Sequence, residues 1–382
     1  HIRRKIVTDI WLFIAGLGLF LFAMRQIETG LKTLGSRRLR FFFRKHMHHR
    51  LGAVVAGITS TAALQSSSLV GLLVLAFVGV GMMPLESALY VVFGSNLGTT
   101  LTGWIVATLG FKLDIESFAL PLIGLGSLVF VITRGSTHEA ARLATALGFL
   151  LLGLSYMKES FGSTATGLEI EQLAGMALWQ YLLIGVVVAA LVQSSSAVMV
   201  VTLAALHAGI ISLESAAAVV IGADLGTTST LVIGAMQGEN AKKRVALAHV
   251  TFNLLTDLVA FLLLGSLLYV IALVGLQDPL LTLVAFHSLF NLIGLVMFFP
   301  FVGLMAAGLE RLFVSRPEPA ARFLRELTPL ASDAVVGALE NETCRLVAHV
   351  IRQNRHVFPV PLAKPPGKVP VMLEWEEDCL LY

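Results

Sequence analysis

One tetrapeptide, Gln65-Ser66-Ser67-Ser68, returns 128 residues later as Gln193-Ser194-Ser195-Ser196, and both copies interrupt otherwise apolar sequence. The same offset, without a gap, maps Glu86-Ser87-Ala88 onto Glu214-Ser215-Ala216 and Gly94-Ser95-Asn96-Leu97-Gly98-Thr99-Thr100 onto Gly222-Ala223-Asp224-Leu225-Gly226-Thr227-Thr228. A duplication kept in register restricts the fold to two copies of one supersecondary unit. Each polar centre sits between apolar arms of about 15 residues, which at 1.5 Å per residue reach only ~23 Å. That is short of a ~30 Å bilayer core, so residues 51–82 and 178–211 read as re-entrant hairpins.

The surrounding sequence supports a membrane setting. Of 382 residues, 56% are hydrophobic and 13% charged, against about 25% charged in a soluble domain. The charges are uneven: 33 of 51 fall in residues 1–310 and 18 in the last 72. A membrane body followed by a polar tail is expected. Apolar stretches at 10–26, 85–110, 117–133, 141–158, 215–236, 246–274 and 280–308 are candidate crossings. The expected organisation is a first span and basic loop (1–50), repeat 1 (51–158), repeat 2 (178–309) and a tail (310–382). In each repeat the glycine-flanked polar segment, within 85–110 or 215–236, reads as a broken helix, because glycine lets the backbone leave helical geometry.

Basic residues set the expected orientation. Arg37, Arg38, Arg40, Arg44, Lys45 and Arg50 mark one loop as cytoplasmic, and Arg134, Arg142, Lys242, Lys243, Arg244 and the start of the tail then fall on the same side. Asp114, Glu116, Glu159, Glu169, Glu171 and Asp278 fall on the other. The amino-terminal Arg3, Arg4 and Lys5 oppose this count and are outnumbered by the next loop. The two hairpins then enter from opposite faces, as in transporters built from inverted repeats with the site near the midplane.

Polar backbone and side chains at membrane depth require protein or a watery cavity around them. Serine hydroxyls with free N–H groups at helix starts suit a tetrahedral oxyanion. Asn96, Asp224, Thr99, Thr100, Thr227 and Thr228 offer oxygen ligands of the type an alkali cation takes. Asp224, ionisable where its counterpart is Asn96, is a candidate for cation or proton binding because a carboxylate within a membrane is costly unless used. Glu86 and Glu214 read as first-turn acids that favour the helix dipole. His249, Asn253 and Asp257 step by four along one helix, and His287 and Asn291 repeat the step on the next, so these five read as an interhelical polar stripe supporting the site.

Several classes are excluded or unsupported. A net charge of +3 gives no reason to expect nucleic acid. Cys344 and Cys379 have no metal or redox spacing, and His46, His48 and His49 lie in a basic, Phe-rich interfacial stretch rather than a metal site. There is no Walker loop, dinucleotide pattern or HExxH, so no nucleotide cofactor or catalytic zinc is expected, and an ATP-driven pump would need another subunit to bring the ATPase. A serine hydrolase using His249 or His287 as base is a weak rival, since nothing singles out one serine of six.

The paired QSSS motifs, each followed by a Gly-x-Asn/Asp-x-Gly-Thr-Thr segment, with HxxFN helices after the second, resemble the type II sodium–phosphate cotransporter family over roughly residues 10–310. The resemblance implies sodium-coupled symport of inorganic phosphate by alternating access in the cytoplasmic (inner) membrane. The implied fold is an all-α integral membrane protein of two inverted repeats, with about seven full spans plus two hairpins. It implies a substrate and ion site at Gln65, Ser66, Ser67, Ser68, Gln193, Ser194, Ser195 and Ser196, with Asn96, Thr99, Thr100, Thr227 and Thr228 beside them. Phosphate, sodium ions and membrane lipid are then the partners, with no cofactor or metal beyond Na+ and no enzymatic activity. Asp224 departs from the asparagine common in the family. The tail is too short for a complete PhoU-like domain and reads as a truncated segment that could meet a phosphate-regulatory partner. Export, carriage of another tetrahedral oxyanion without sodium, a sensor role and a homodimer all stay open.

Overall fold

The computed structural model describes residues 2–46, 49–79, 83–110, 115–164, 176–236 and 239–314, with 343, 346, 347 and 350 beyond them. The chain divides into two units, His1–Val314 and Ser315–Tyr382. In the second, Thr343, Leu346, Val347 and Val350 are helical and exposed; the expectations for the rest of the tail, including Cys344 and Cys379, lie outside the described residues. So do Asp114, Glu169 and Glu171 and the side chains of the basic stretch 37–48.

Among the described residues the first unit is built of helices joined by short turns, with no strand. In chain order it comprises α1 (Ile2–His46), α2 (Arg50–Leu64), α3 (Ser67–Gly79), α4 (Leu85–Ile105, continued by a π-helical turn Val106–Gly110), α5 (Ile115–Ile132) and α6 (Ser136–Thr164). The second half supplies α7 (Leu178–Val192), α8 (Ser195–His207), α9 (Leu213–Met236), α10 (Asn240–Leu262), α11 (Leu264–Leu273), α12 (Pro279–Phe298) and α13 (Val302–Leu312). The duplication in sequence is thus matched by α2–α3–α4 and α7–α8–α9, whose short helices have the same lengths, 15 and 13 residues, in both copies.

Among the described residues five helical segments are long and apolar enough to cross a membrane: Thr8–Leu31, Ser136–Ser160, Leu213–Met236, Asn240–Leu262 and Pro279–Leu312. Two of the seven expected crossings are not among them. The 85–110 segment is long enough, but Ser95, Asn96, Thr99, Thr100 and Thr102 make α4 polar along its middle, and the apolar part of α5, Ser117–Ile132, is short. The expected span 246–274 is divided at Leu263 into α10 and α11. Large apolar side chains such as Leu125, Val131, Leu191 and Val274 are exposed. A surface of this kind is expected against lipid rather than water.

The broken helices anticipated within 85–110 and 215–236 are not present: α4 and α9 run unbroken through both glycine segments. Those glycines serve packing instead. A Cβ on Gly94 or Gly98 would meet the Val54 or Ile58 carbonyl of α2 at 2.4 or 2.5 Å, and one on Gly57 of α2 would meet the Val91 carbonyl at 2.1 Å. The second copy repeats this between α7 and α9: Gly222 against Leu182 at 1.9 Å, Gly226 against Val186 at 2.4 Å, and Gly185 against Val219 at 2.1 Å. Small residues four apart let two backbones touch, which compensates for the weak driving force between helices in lipid. Gly16 of α1 and Gly153 of α6 cross in the same way.

Two buried cores result. One centres on α7, α8, α9 and α12, with Phe20 and Leu154 from α1 and α6. The other gathers α2, α3 and α4 against the start of α10, where Phe93 stacks on Phe252 at 4.2 Å between centroids.

Candidate functional site

α2 ends at Gln65 and α7 at Gln193, each in the left-handed region with φ of 55° and 57°. These are the only non-glycine residues with positive φ among those described. A side chain held in the left-handed region is strained, and such strain concentrates where geometry is used. Gln65 stabilises its turn by donating from Nε2 to the Ala62 carbonyl, while Gln193 N–H donates to the Ala189 carbonyl at 2.7 Å.

The first serine of each motif then starts the next helix. Ser66 Oγ accepts from Leu69 N–H and Ser194 Oγ from Ala197 N–H, both at 3.2 Å. This is the geometry of an N-cap. It leaves Ser67 and Ser68, and Ser195 and Ser196, in first turns whose N–H groups have no intrahelical partner, where the helix dipole favours an anion.

The structure brings both tips to one cavity of about 660 Å³, lined by all eight residues of the two tetrapeptides. A water's share of liquid volume is about 30 Å³, so the space admits a tetrahedral ion with hydration. The sequence reading missed three further contributors. Arg25 and Glu28 from α1 line the same cavity. Glu28 Oε1 accepts a hydrogen bond from the Ser66 hydroxyl at 2.9 Å, and no ion pair joins Arg25 to a described carboxylate. Both charges lie inside the apolar segment Thr8–Leu31, a placement that marks functional candidates. The third is the threonine pair Thr102 and Thr230, again 128 residues apart. Thr102 donates to Gln65 Oε1 at 2.8 Å and is the long-range partner of Ser196 Oγ at 3.5 Å, so it ties the two tips together. Thr230 lines the cavity with its hydroxyl otherwise unpartnered.

The remaining predicted residues do not reach this cavity. Thr99, Thr100, Thr227 and Thr228 donate to carbonyls of their own helices, at Ser95, Leu97, Asp224 and Leu225. Asn96 and Asp224 are buried in a separate polar cluster. There Asn96 Nδ2 donates to Asn253 Oδ1, His249 Nε2 meets Asn96 Oδ1 at 3.3 Å, and Asn253 Nδ2 donates to the Asp224 carbonyl at 3.0 Å. α10 thereby joins an equivalent position of each repeat. Asp257, one turn beyond Asn253 on α10, is also buried. Asp224 Oδ2 and both Asp257 oxygens have no hydrogen-bond partner. His287 and Asn291 are buried on α12, where Asn291 Nδ2 donates to the His287 carbonyl at 3.1 Å; both His287 ring nitrogens are unpartnered.

Glu86 and Glu214 do sit in the first turns of α4 and α9. Glu86 also pairs with Arg50 at 3.3 Å across the ends of α4 and α2, and Ser212 Oγ accepts from Ser215 N–H at the start of α9.

Comparison with known proteins gives the following. Residues 19–159 and 170–312 match the family described as Na+/Pi-cotransporter. The uncharacterized protein YqeW of Bacillus subtilis is 31% identical over 289 residues, 75% of this chain and 92% of that protein. YjbB of Salmonella typhimurium, provisionally named an inorganic phosphate export protein, is 30% identical over 315 residues, covering 80% of this chain and 56% of its own length. YjbB of Escherichia coli K12, with the same name, is 29% identical over 310 residues, with the same coverage. The chain thus spans about half the length of the YjbB relatives. No solved structure matches it.

Proposed function

The chain belongs to the Na+/Pi-cotransporter family, and from that membership we propose that it carries inorganic phosphate across the membrane with sodium as the coupling ion. The observation that supports this reading most is the convergence of both Gln-Ser-Ser-Ser tips and Arg25 on one cavity. Two helix N-termini, a set of hydroxyls and one guanidinium form a donor-rich site for a tetrahedral anion, with the arginine supplying a countercharge.

The two tips belong to equivalent units of the duplication and are held together through Thr102. In this reading the units are inverted in the membrane, α2–α3 and α7–α8 are re-entrant, and relative movement of the halves exposes the cavity to each side in turn. The strained turns at Gln65 and Gln193 keep the donors fixed in each half while the halves move.

The Asn96–Asn253–Asp224 cluster is assigned the cation. Its carbonyl and carboxylate oxygens suit an alkali ion, and unpartnered carboxylate oxygens inside a membrane are costly without a counter-ion or proton. Asp224→Asn is therefore expected to change the cation dependence or the charge moved per cycle more than phosphate affinity. Voltage-clamped transport currents test this, and unchanged cation stoichiometry removes Asp224 from coupling.

Radiolabelled phosphate uptake into proteoliposomes, driven by an inward sodium gradient or an equal choline gradient, tests the whole reading. Uptake that requires sodium and falls at least about tenfold in both Ser67→Ala and Ser195→Ala is expected if both tips hold the anion. Equal uptake in sodium and choline rejects sodium coupling. A second reading, phosphate export, is favoured by the name carried by the YjbB relatives. It predicts faster sodium-independent efflux from preloaded vesicles than uptake into empty ones.

A further inference from the structure

A site made only of donors cannot separate one tetrahedral oxyanion from another, because phosphate, arsenate and sulfate present the same four oxygens. The cavity contains one group that can only accept, unlike its hydroxyls and amides, which can turn to donate. Glu28 of α1 lines the space shared by the two tips, where the other polar side chains are hydroxyls, amides and the Arg25 guanidinium, set among apolar residues such as Leu21, Phe22, Met24 and Leu191. A carboxylate accepts hydrogen bonds and donates none. Its Oε1 already takes one of the kind a protonated oxyanion offers, the O–H of Ser66 at 2.9 Å.

Near neutral pH inorganic phosphate and arsenate keep at least one hydroxyl, whereas sulfate keeps none. Phosphate can therefore donate a hydrogen bond from its P–OH to Glu28 while its unprotonated oxygens accept from Arg25, the serine hydroxyls and the N–H groups at the starts of α3 and α8. Sulfate in the same position sets an acceptor against an acceptor, with no proton between them. Mismatches of this sort are where large selectivity arises, since a desolvated polar group is left without a partner. Sites that specify also need such a repulsive element against the wrong ligand.

We propose that Glu28 is the specificity residue of this cavity, accepting a hydrogen bond from the hydroxyl of a protonated tetrahedral oxyanion and thereby excluding fully deprotonated ones. This rests on the reading of the cavity as the anion site. Arg25 supplies the attraction common to all such anions, and Glu28 supplies the discrimination.

Displacement of radiolabelled phosphate from the purified protein by unlabelled phosphate, arsenate or sulfate provides the test. In the wild type, arsenate should compete and sulfate should not. In Glu28→Gln the amide adds an N–H donor at the same place, so sulfate competition should strengthen by at least about tenfold relative to phosphate, with arsenate little changed. Ser66→Ala removes the hydroxyl bonded to Glu28 but leaves the carboxylate, so its preference for phosphate over sulfate should persist. An unchanged sulfate-to-phosphate ratio in Glu28→Gln overturns the proposal. So does a folded Glu28→Gln protein that has lost phosphate and arsenate alike, or loss of discrimination in Ser66→Ala, since either makes Glu28 a support for the tip. Failure of the underlying reading shows separately, as a folded wild type from which unlabelled phosphate displaces nothing.

Discussion

Replacing Arg25 by glutamine should lower phosphate uptake at sub-saturating concentration by roughly 10–100-fold, the size expected when a charge-assisted hydrogen bond to an anion is lost. The effect should fall mainly on the concentration needed for half-maximal transport, because the guanidinium acts as a countercharge in the cavity rather than as a moving part. Arg25 is well placed for this: it lines the space between the two tips and is not engaged by any described carboxylate, Glu28 included. Arg25→Lys should recover part of the loss, since charge is kept while the planar fork that matches two oxygens is not. Concentration-dependent uptake in proteoliposomes measures both. Wild-type behaviour of Arg25→Gln would remove the arginine from the anion site.

A single methyl group at Gly222 should have the largest effect on folding. The added Cβ would lie 1.9 Å from the Leu182 carbonyl oxygen, 2.8 Å from its carbon and 2.9 Å from Val186 N, all backbone atoms of α7. No side chain can move aside to accommodate it, so α9 must separate from α7 along the contact that sets the position of the second tip. Overpacking usually costs about 1–3 kcal/mol, and rigid backbone partners place this case at the upper end or beyond. Gly222→Ala should give little monodisperse protein on size-exclusion chromatography, and Gly94→Ala, its counterpart in the first copy, whose added Cβ would meet the Val54 carbonyl of α2, should behave alike. Gly124→Ala is the control: nothing lies within 4 Å of its added carbon. A stable, active Gly222→Ala would show that the helices sit farther apart than described.

The same glycines explain where the sequence misled. A glycine pair four residues apart beside Asn96 or Asp224 is equally consistent with a helix that opens and with a helix that approaches another closely. Only the position of α2 against α4, and of α7 against α9, separates the two, and close approach is what occurs. The threonines after those glycines had a similar fate. Their hydroxyls suggested ligands, but within an intact helix Thr99, Thr100, Thr227 and Thr228 each have a main-chain carbonyl three or four residues back. Had the helices been broken, those carbonyls would not have been in reach.

Other features were legible and passed over. Thr102 and Thr230 obey the 128-residue offset, so the duplicated motif extends two residues beyond its second threonine. Arg25 and Glu28 are a charged pair within an apolar segment, a signal that needs no structure to notice. Their partner could not be read the same way. Ser66 is 38 residues from Glu28, and no local periodicity relates one helix to the turn between two later ones.

The sequence by itself determined the helical class, the duplication and the chemical character of the two tips. Those properties depend on local patterns: apolar runs, a fixed offset, and hydroxyl clusters where hydrophobic sequence is interrupted. The tertiary structure decided which of these groups share a space. It placed both tips with Arg25 and Glu28 around one cavity, and it gathered Asn96, Asn253, His249, Asp224 and Asp257 in a cluster apart from it. The reason is that side chains meet through the packing of helices distant in the chain, and that packing is set by backbone contacts at glycines whose partners no single segment of sequence specifies.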